Sequence, residues 1–196
     1  MLTALSPPPG TLQGRRYALR FATSEADLRA IQRMRFEVFN LELGEGLASS
    51  YTLGRDEDEY DEACHHLMVL HGEQVVGTYR LQTQALACAG RGFYSSTEFD
   101  LGGLDPAVLA GGVEVGRACV ARAHRSGPVL AMLWQGLARY LAFHSKRYLF
   151  GCCSITTTER WVGRVLHDNL RAAGVMDPDH AAVSYTHLTL PTTYTV

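Results

Sequence analysis

The sequence predicts a mixed α/β domain, an α+β arrangement with helices packed on a largely antiparallel sheet. Three observations lead to this. The 196 residues suffice for one buried core, and their composition (46% hydrophobic, 19% charged) is that of an ordinary globular chain. Two apolar segments, His66–His71 and Gln74–Gln82, flank the turn Gly72-Glu73 and read as a β-hairpin. After the hairpin, a strand-like run, a basic loop, a helical pattern, a second strand-like run and a second helical pattern follow in order.

Taken along the chain, residues 1–16 (MLTALSPPPGTLQGRR) lack the basic start and apolar centre of a secretory signal and are expected to form a flexible arm. Ser24 can cap a helix, with Asp27 in the capping-box position. Leu28, Ile31, Arg35, Val38 and Phe39 then recur at helical spacing. Asn40–Gly54 is punctuated by Gly and Ser and reads as a loop, followed by an acidic run from Asp56 to Glu62. Beyond the hairpin, Phe93–Leu104 is loop-like, Asp105–Ala110 suits a short helix, and Val113–Val120 is a strand.

Pro128 fits the first turn of a helix. Its apolar face carries Val129, Leu130, Met132, Leu133, Leu137, Tyr140 and Leu141, and Trp134 and Tyr140 are expected in the core. Tyr148–Ile155 reads as a buried strand. Thr158 and Glu159 open an amphipathic helix that turns Trp161, Val162, Val165, Leu166 and Leu170 inward and stops at Gly174. Val183–Thr193 (VSYTHLTLPTT) matches the translation of a transposase-type sequencing adapter. The expected organisation is therefore the arm at 1–16, a folded domain at 17–182 truncated in its C-terminal part, and a non-native tail at 183–196.

Several function classes find little support. The formal net charge of −2 gives no basic field for nucleic acid. No apolar run approaches the roughly 20 residues of a membrane span. The five cysteines (Cys64, Cys88, Cys119, Cys152, Cys153) lack paired metal-ligand spacing, and their odd number argues against a disulfide framework. That usage suits a reducing cytoplasm. Cys64-His65-His66 has no second ligand pair, and neither a nucleophile elbow, a Walker loop nor a dinucleotide fingerprint occurs.

The informative residues are charges. Arg35 lies on the first helical pattern; Asp56, Glu57, Asp58, Glu59, Asp61 and Glu62 form the acidic run; Arg80, Glu114 and Arg117 are embedded in apolar strands. Charge that is buried needs partners, because unpaired burial is expensive. Runs of acidic residues are more often solvated loops than sites, and Glu114 and Arg117 could be a structural ion pair. On a regular strand, however, residues three apart face opposite ways, so these two meet only if a bulge intervenes, which Gly116 permits. The loop Arg122-Ala-His124-Arg125-Ser126-Gly127 precedes a helix whose first N–H groups can face an anion, phosphate being the natural candidate, or simply water.

In combination these segments resemble a known family. MRFEVFNLELGEG, DEDEYDEACHHLMV, VVGTYRLQ, GFYSSTEFDL, VEVGRACV and YLFGCCSI occur in the order found in acyl-carrier-protein-dependent N-acyltransferases of the GNAT fold. The ornithine N-acyltransferase type, which makes lyso-ornithine lipid, is the nearest branch, and acyl-homoserine-lactone synthases are a related one. The resemblance covers about Tyr17 to Glu159. It implies a mixed, mostly antiparallel GNAT sheet and transfer of a fatty or 3-hydroxyfatty acyl group from a carrier-protein thioester to an amino-acid amine, with ornithine first among acceptors.

It further implies Glu114, Asp58 and Arg117 as catalytic residues, and Arg35, Phe39, Asp56, Asp61 and Arg80 around the acceptor. Arg122, Arg125, Ser126 and Gly127 would hold the phosphopantetheine arm and the carrier protein. No metal and no resident cofactor are implied, the carrier's thioester being a co-substrate. Partners would be acyl carrier protein and a small amino acid rather than nucleic acid. The protein would be cytoplasmic, with a lipid product drawing it to the inner membrane surface. Asp56 stands where the family often has Glu, and the basic loop lacks the full glycine-rich pyrophosphate pattern of acetyl-coenzyme A users, which favours a carrier-protein donor. A signal synthase and a non-catalytic carrier-binding module are the alternatives. GFYSSTEFDL and the lack of a Trp after Glu42 weigh against the former, and the intact charged cluster weighs against the latter.

Overall fold

The structure, a computed structural model, describes residues 6–125, 127–153, 159–175 and 183–184. A six-stranded sheet runs in the order β1 (Leu12–Gln13), β2 (Ala18–Phe21), β3 (His65–His71), β4 (Gln74–Thr83), β6 (Gly112–Val120) and β7 (Tyr148–Phe150). All neighbours are antiparallel except β6 and β7. The expected hairpin is β3–β4, which turns at Gly72 with φ +62°, a left-handed conformation that glycine takes without steric cost. Part of the expected arm is structured, since Leu12–Gln13 pairs with β2 and the Arg139 guanidinium donates to the carbonyl of Pro9. A separate two-stranded sheet joins β5 (Phe99–Asp100) to β8 (Val183–Ser184).

Helices cover both faces. α1 (Glu25–Phe36) begins where the sequence places it, with Ser24 Oγ accepting from the Asp27 amide. The Asp27 carboxylate reaches back to the Thr23 amide and takes both arms of Arg20 from β2, at 2.7 and 2.6 Å. The helix does not end at Phe36 but widens into a π-helical stretch, Glu37–Glu42. Its inward face (Ile31, Met34, Val38) packs against Met68, Val75 and Cys119. On the opposite face, α6 (Pro128–Phe143) lays Val129, Leu133, Leu137 and Tyr140 over Leu19, Leu67, Val69, Leu81 and Val113. β3 serves both layers by alternation: Leu67 and Val69 face α6, while Met68 faces α1. α6 lies so close that a Cβ on Gly136 would meet Leu67 Cδ2 at 2.5 Å.

Several short elements are not among those expected. β2 is only four residues long, too short for a periodic signal, and α3 (Gln84–Ala89) continues the apolar run of β4 without a break in composition. Short helices α2 (Ser50–Leu53) and α4 (Ser95–Glu98) also interrupt the expected loops, whereas α5 (Pro106–Gly111) falls at the expected position, capped by Asp105.

Two expectations of burial fail. α7 (Arg160–Ala172) is amphipathic as expected, yet Trp161 and Val165 are 66% and 50% exposed, because no described layer lies over that face. Trp134 is 54% exposed at the edge of α6, while Tyr140 is fully buried. Of the expected strand Tyr148–Ile155, Tyr148–Phe150 is strand, and Ser154 and Ile155 lie outside the described residues. The helix start expected at Thr158 lies outside them too.

Candidate functional site

β6 is the strand that builds the site. Arg80 of β4 faces Gly116, but Thr78 faces Cys119, so Tyr79 stands opposite two residues, Arg117 and Ala118. The bulge therefore lies at Arg117–Ala118, just past Gly116, and not between Glu114 and Arg117. Arg117 adopts φ +47°, a conformation costing a non-glycine residue about 1–3 kcal/mol. The bulge turns Arg117 onto the face of the sheet that carries Arg80, where its guanidinium lies 3.5 Å from Asp56, 3.3 Å from Asp58 and over the Phe39 ring.

The acidic run converges on that point. Arg35 has no exposed surface; its guanidinium donates to Asp56 Oδ1 at 2.8 and 2.6 Å, to the Asp56 carbonyl at 2.8 Å and to both oxygens of Asp61 at 2.9 and 3.0 Å. Arg80 donates to Asp58 at 2.5 Å and Asp61 at 3.0 Å, with its cation over Tyr60 and Tyr94. Three guanidinium groups thus meet three carboxylates, and the buried network is neutral. Burial alone would raise the Asp61 carboxyl, but Arg35 beside it holds it well below the usual carboxylate range. Burial likewise opposes ionisation of Asp58, and Arg80 overrides it. Gln32 and His66 complete the shell: Gln32 donates to Asp61 Oδ2 at 2.9 Å, and His66 Nε2 to the Asp61 carbonyl at 2.9 Å. Burial lowers the His66 pKa to about 4, so the ring is neutral.

Glu114 lies on the same face but outside this network. It is buried on β6, and its two oxygens accept the Tyr94 and Ser95 amides at 2.9 and 2.5 Å, which ties the start of α4 to the sheet. The salt bridge considered for Glu114 and Arg117 is not formed. Gln82 stands directly across from Glu114 on β4.

Beyond Glu114 the sheet opens. β6 and β7 pair only at Gly112–Tyr148, Val113–Leu149 and Glu114–Phe150, while β6 runs on to Val120. Gly151 still touches the Val115 carbonyl; a Cβ there would collide with it. Past that point the edge of β6 faces no described strand. A cleft of about 690 Å³ occupies the gap and passes through the sheet. Its apolar side is formed by Trp134 and Leu137 of α6 with Leu149, and its polar side by Arg80, Gln82, Glu114 and Arg117. Cys64 also lines it, but burial pushes that thiol up to about 12, so it is no nucleophile at neutral pH.

The basic loop is arranged differently from expectation. Arg122–His124 forms a 3₁₀ turn, and Arg125 is already held by Glu42 through two contacts of 2.6 and 2.7 Å, with a further bond to the Val120 carbonyl. Gly127, at φ +91°, precedes the first turn of α6, which no side chain among the described residues caps. Ser126 lies outside the described residues. Among the described residues no group of three or more His, Cys, Asp or Glu side chains could hold a metal ion, and no helix is long and apolar enough to cross a membrane.

Sequence reasoning thus found the six network residues and Glu114 but missed Gln82, Tyr94 and Ser95. GFYSSTEFDL flagged the segment of the last two without indicating that its amides would bind Glu114.

Residues 34–135 match the model of the acetyltransferase (GNAT) domain family. An L-ornithine N(alpha)-acyltransferase of Agrobacterium fabrum is 39% identical over 146 residues, which cover 69% of this chain and 49% of that protein. The enzyme of the same name from Brucella abortus is 34% identical over 81% of this chain and 61% of its own length. The chain therefore spans about half to three-fifths of the length of the curated relatives it matches. Among solved structures, the AHL synthase LasI superposes with a TM-score of 0.52 at 15% identity, covering 79% of this chain and 78% of that one. The six-stranded sheet that parts at β6 and the matched 34–135 segment agree, and the chain belongs to the acetyltransferase (GNAT) domain family.

Proposed function

We propose that the chain catalyses N-acylation, moving a fatty acyl group from the thioester of acyl carrier protein to the α-amine of an amino acid, ornithine first. The observation that carries this reading is the cleft through the sheet at the β6/β7 split, apolar on the α6 side and polar around Glu114. An acyl thioester and an amino acid need these two surfaces side by side. The name shared by the curated relatives supports ornithine as acceptor.

The mechanism follows from the groups present. The donor lies along the unpaired edge of β6, whose main-chain N–H groups stabilise the oxyanion of the tetrahedral intermediate. Glu114 uses one lone pair on each oxygen for Tyr94 and Ser95, leaving acceptor capacity for the amine proton, taken directly or through one water. The amine forms the new N–C bond, the C–S bond breaks, and the thiolate leaves and takes up a proton. No covalent enzyme intermediate is needed. Arg35, Asp56, Asp58 and Asp61 do not line the cleft and act as the frame that fixes Arg80 and Arg117 at its edge. The arm's phosphate takes the uncapped first turn of α6 at Gly127, and Arg122 and Arg125 face the acidic carrier. A lipid product would bring the protein to a membrane surface from the cytoplasmic side.

The test is a transfer assay read by mass spectrometry, with long-chain acyl carrier protein, long-chain acyl-coenzyme A and acetyl-coenzyme A offered against ornithine, glycine, lysine and S-adenosylmethionine. N-acyl-ornithine formed from the carrier-bound donor is expected. An acyl-lactone, or carrier binding without turnover by the folded protein, would overturn the reading.

A further inference from the structure

Gln82 is 1% exposed, and neither its Oε1 nor its Nε2 has a hydrogen-bond partner among the described residues. A buried carboxamide with both ends unmet is rare, because desolvating it costs free energy that only a partner returns. Here the amide lines the cleft, on the same strand face as Arg80 and directly opposite Glu114 in the β4–β6 register. Directly opposed side chains have Cβ atoms about 4.5–5.5 Å apart. Glu114 is not its partner: no hydrogen bond joins the two, and the Glu114 carboxylate is turned to the Tyr94 and Ser95 amides.

We propose that Gln82 is the positioning residue for the acceptor, reading the amine and carboxylate common to every α-amino acid. This rests on the N-acyltransferase reading and deepens it. A carboxamide offers one acceptor oxygen and two N–H donors on adjacent atoms. An α-amino acid offers the complement, N–H donors on nitrogen and acceptor oxygens on the carboxylate. Oε1 of Gln82 takes an amine N–H while the Glu114 carboxylate takes another, which holds the nucleophilic nitrogen between them. Nε2–H reaches the acceptor's carboxylate. The polar side of the cleft assigns this task to the acceptor, because the acyl chain has its apolar wall at Trp134, Leu137 and Leu149. The acceptor's own side chain is untouched by Gln82, so the residue sets the class of acceptor and not its identity.

The test compares wild type with Gln82→Leu and Gln82→Met. Turnover kinetics should show the ornithine KM raised about tenfold or more with the donor KM unchanged. Removing an unmet amide should leave the unfolding midpoint of the free protein equal or higher, an effect opposite to that of losing a structural hydrogen bond. Independently of turnover, ornithine and glycine should each raise the unfolding midpoint of wild type and lose that effect in both variants. 1,4-Diaminobutane, which keeps the amine but lacks the carboxylate, should raise the midpoint of wild type less than ornithine does and lose less on substitution of Gln82. An unchanged ornithine KM, a shift in the donor KM instead, a lowered midpoint, or no stabilisation of wild type by either amino acid overturns the proposal. Stabilisation by amino acids that depends on Gln82, without any acyl transfer, would uphold it while refuting the N-acyltransferase reading.

Discussion

Two polar clusters share one face of the β4–β6 pair and are built on opposite rules. Around Arg35 every charge is answered inside the protein: Asp56 and Asp61 pair with Arg35, and Arg80, at the cleft's polar side, pairs with Asp58 and Asp61. Around Gln82 and Glu114, a short step along the same strands, the amide is unanswered and the carboxylate holds only two backbone amides. Solvent access does not separate them, since both are buried. The difference is closure. The first cluster pairs every charge and fixes geometry, with Asp56 Oδ2 left only an ion contact of 3.5 Å to Arg117; the second lines the cleft with an amide that has no partner among the described residues.

The comparison breaks most visibly at Arg35. Arg35→Met should leave two buried carboxylates facing each other and cost about 3–5 kcal/mol, read from urea denaturation. A loss below about 1 kcal/mol would mean that the network is not closed. At the open cluster the large effect should fall on rate instead. Glu114→Gln should lower turnover about 10²–10³-fold with the donor KM unchanged; circular dichroism on the same sample guards against misfolding, because one of the two amides at Tyr94 and Ser95 loses its acceptor. Unchanged turnover would exclude Glu114 as the base.

Acid sharpens the contrast further. The folded-state pKa of His66 is depressed to about 4, so in the unfolded chain the ring binds its proton first as pH falls. Stability should therefore be full above about pH 6.5 and decline by up to about 3 kcal/mol towards pH 4. Asp61, also depressed, adds a further loss below the ordinary carboxylate range, where the unfolded chain protonates and the folded one resists. His66→Gln should abolish the first part of the slope and keep the second, as a stability–pH series would show. The smallest effect is expected at the exposed Arg125–Glu42 pair: Glu42→Ala should leave the unfolding midpoint unmoved while freeing Arg125, and a tighter donor KM would mark that loop as carrier-facing.

Much of the closed cluster is legible in the chain, because charges inside apolar strands must be paired, and the only acids in number are those of the 56–62 run. Gly116 points to a bulge nearby, but the irregularity falls one step on, at Arg117–Ala118, and leaves Glu114 apart from Arg117. Gln82 is not legible. An uncharged amide at the end of a strand carries no local signal, and its lack of a partner is a property of three dimensions. The same holds for α7, whose amphipathic pattern predicts a buried face without saying what would cover it.

The sequence by itself determined the order of the main elements from α1 onward, the hairpin, the start of α1 at Ser24 and the set of charges that had to meet, since periodicity, capping and the cost of unpaired burial act locally or by residue type. Only the tertiary structure decided which acid answers which base, that Glu114 stands apart from Arg117, and that β6 and β7 part to open a cleft. Those outcomes depend on strand register and on contacts between residues far apart in the chain, where a shift of one position would turn every side chain to the other face.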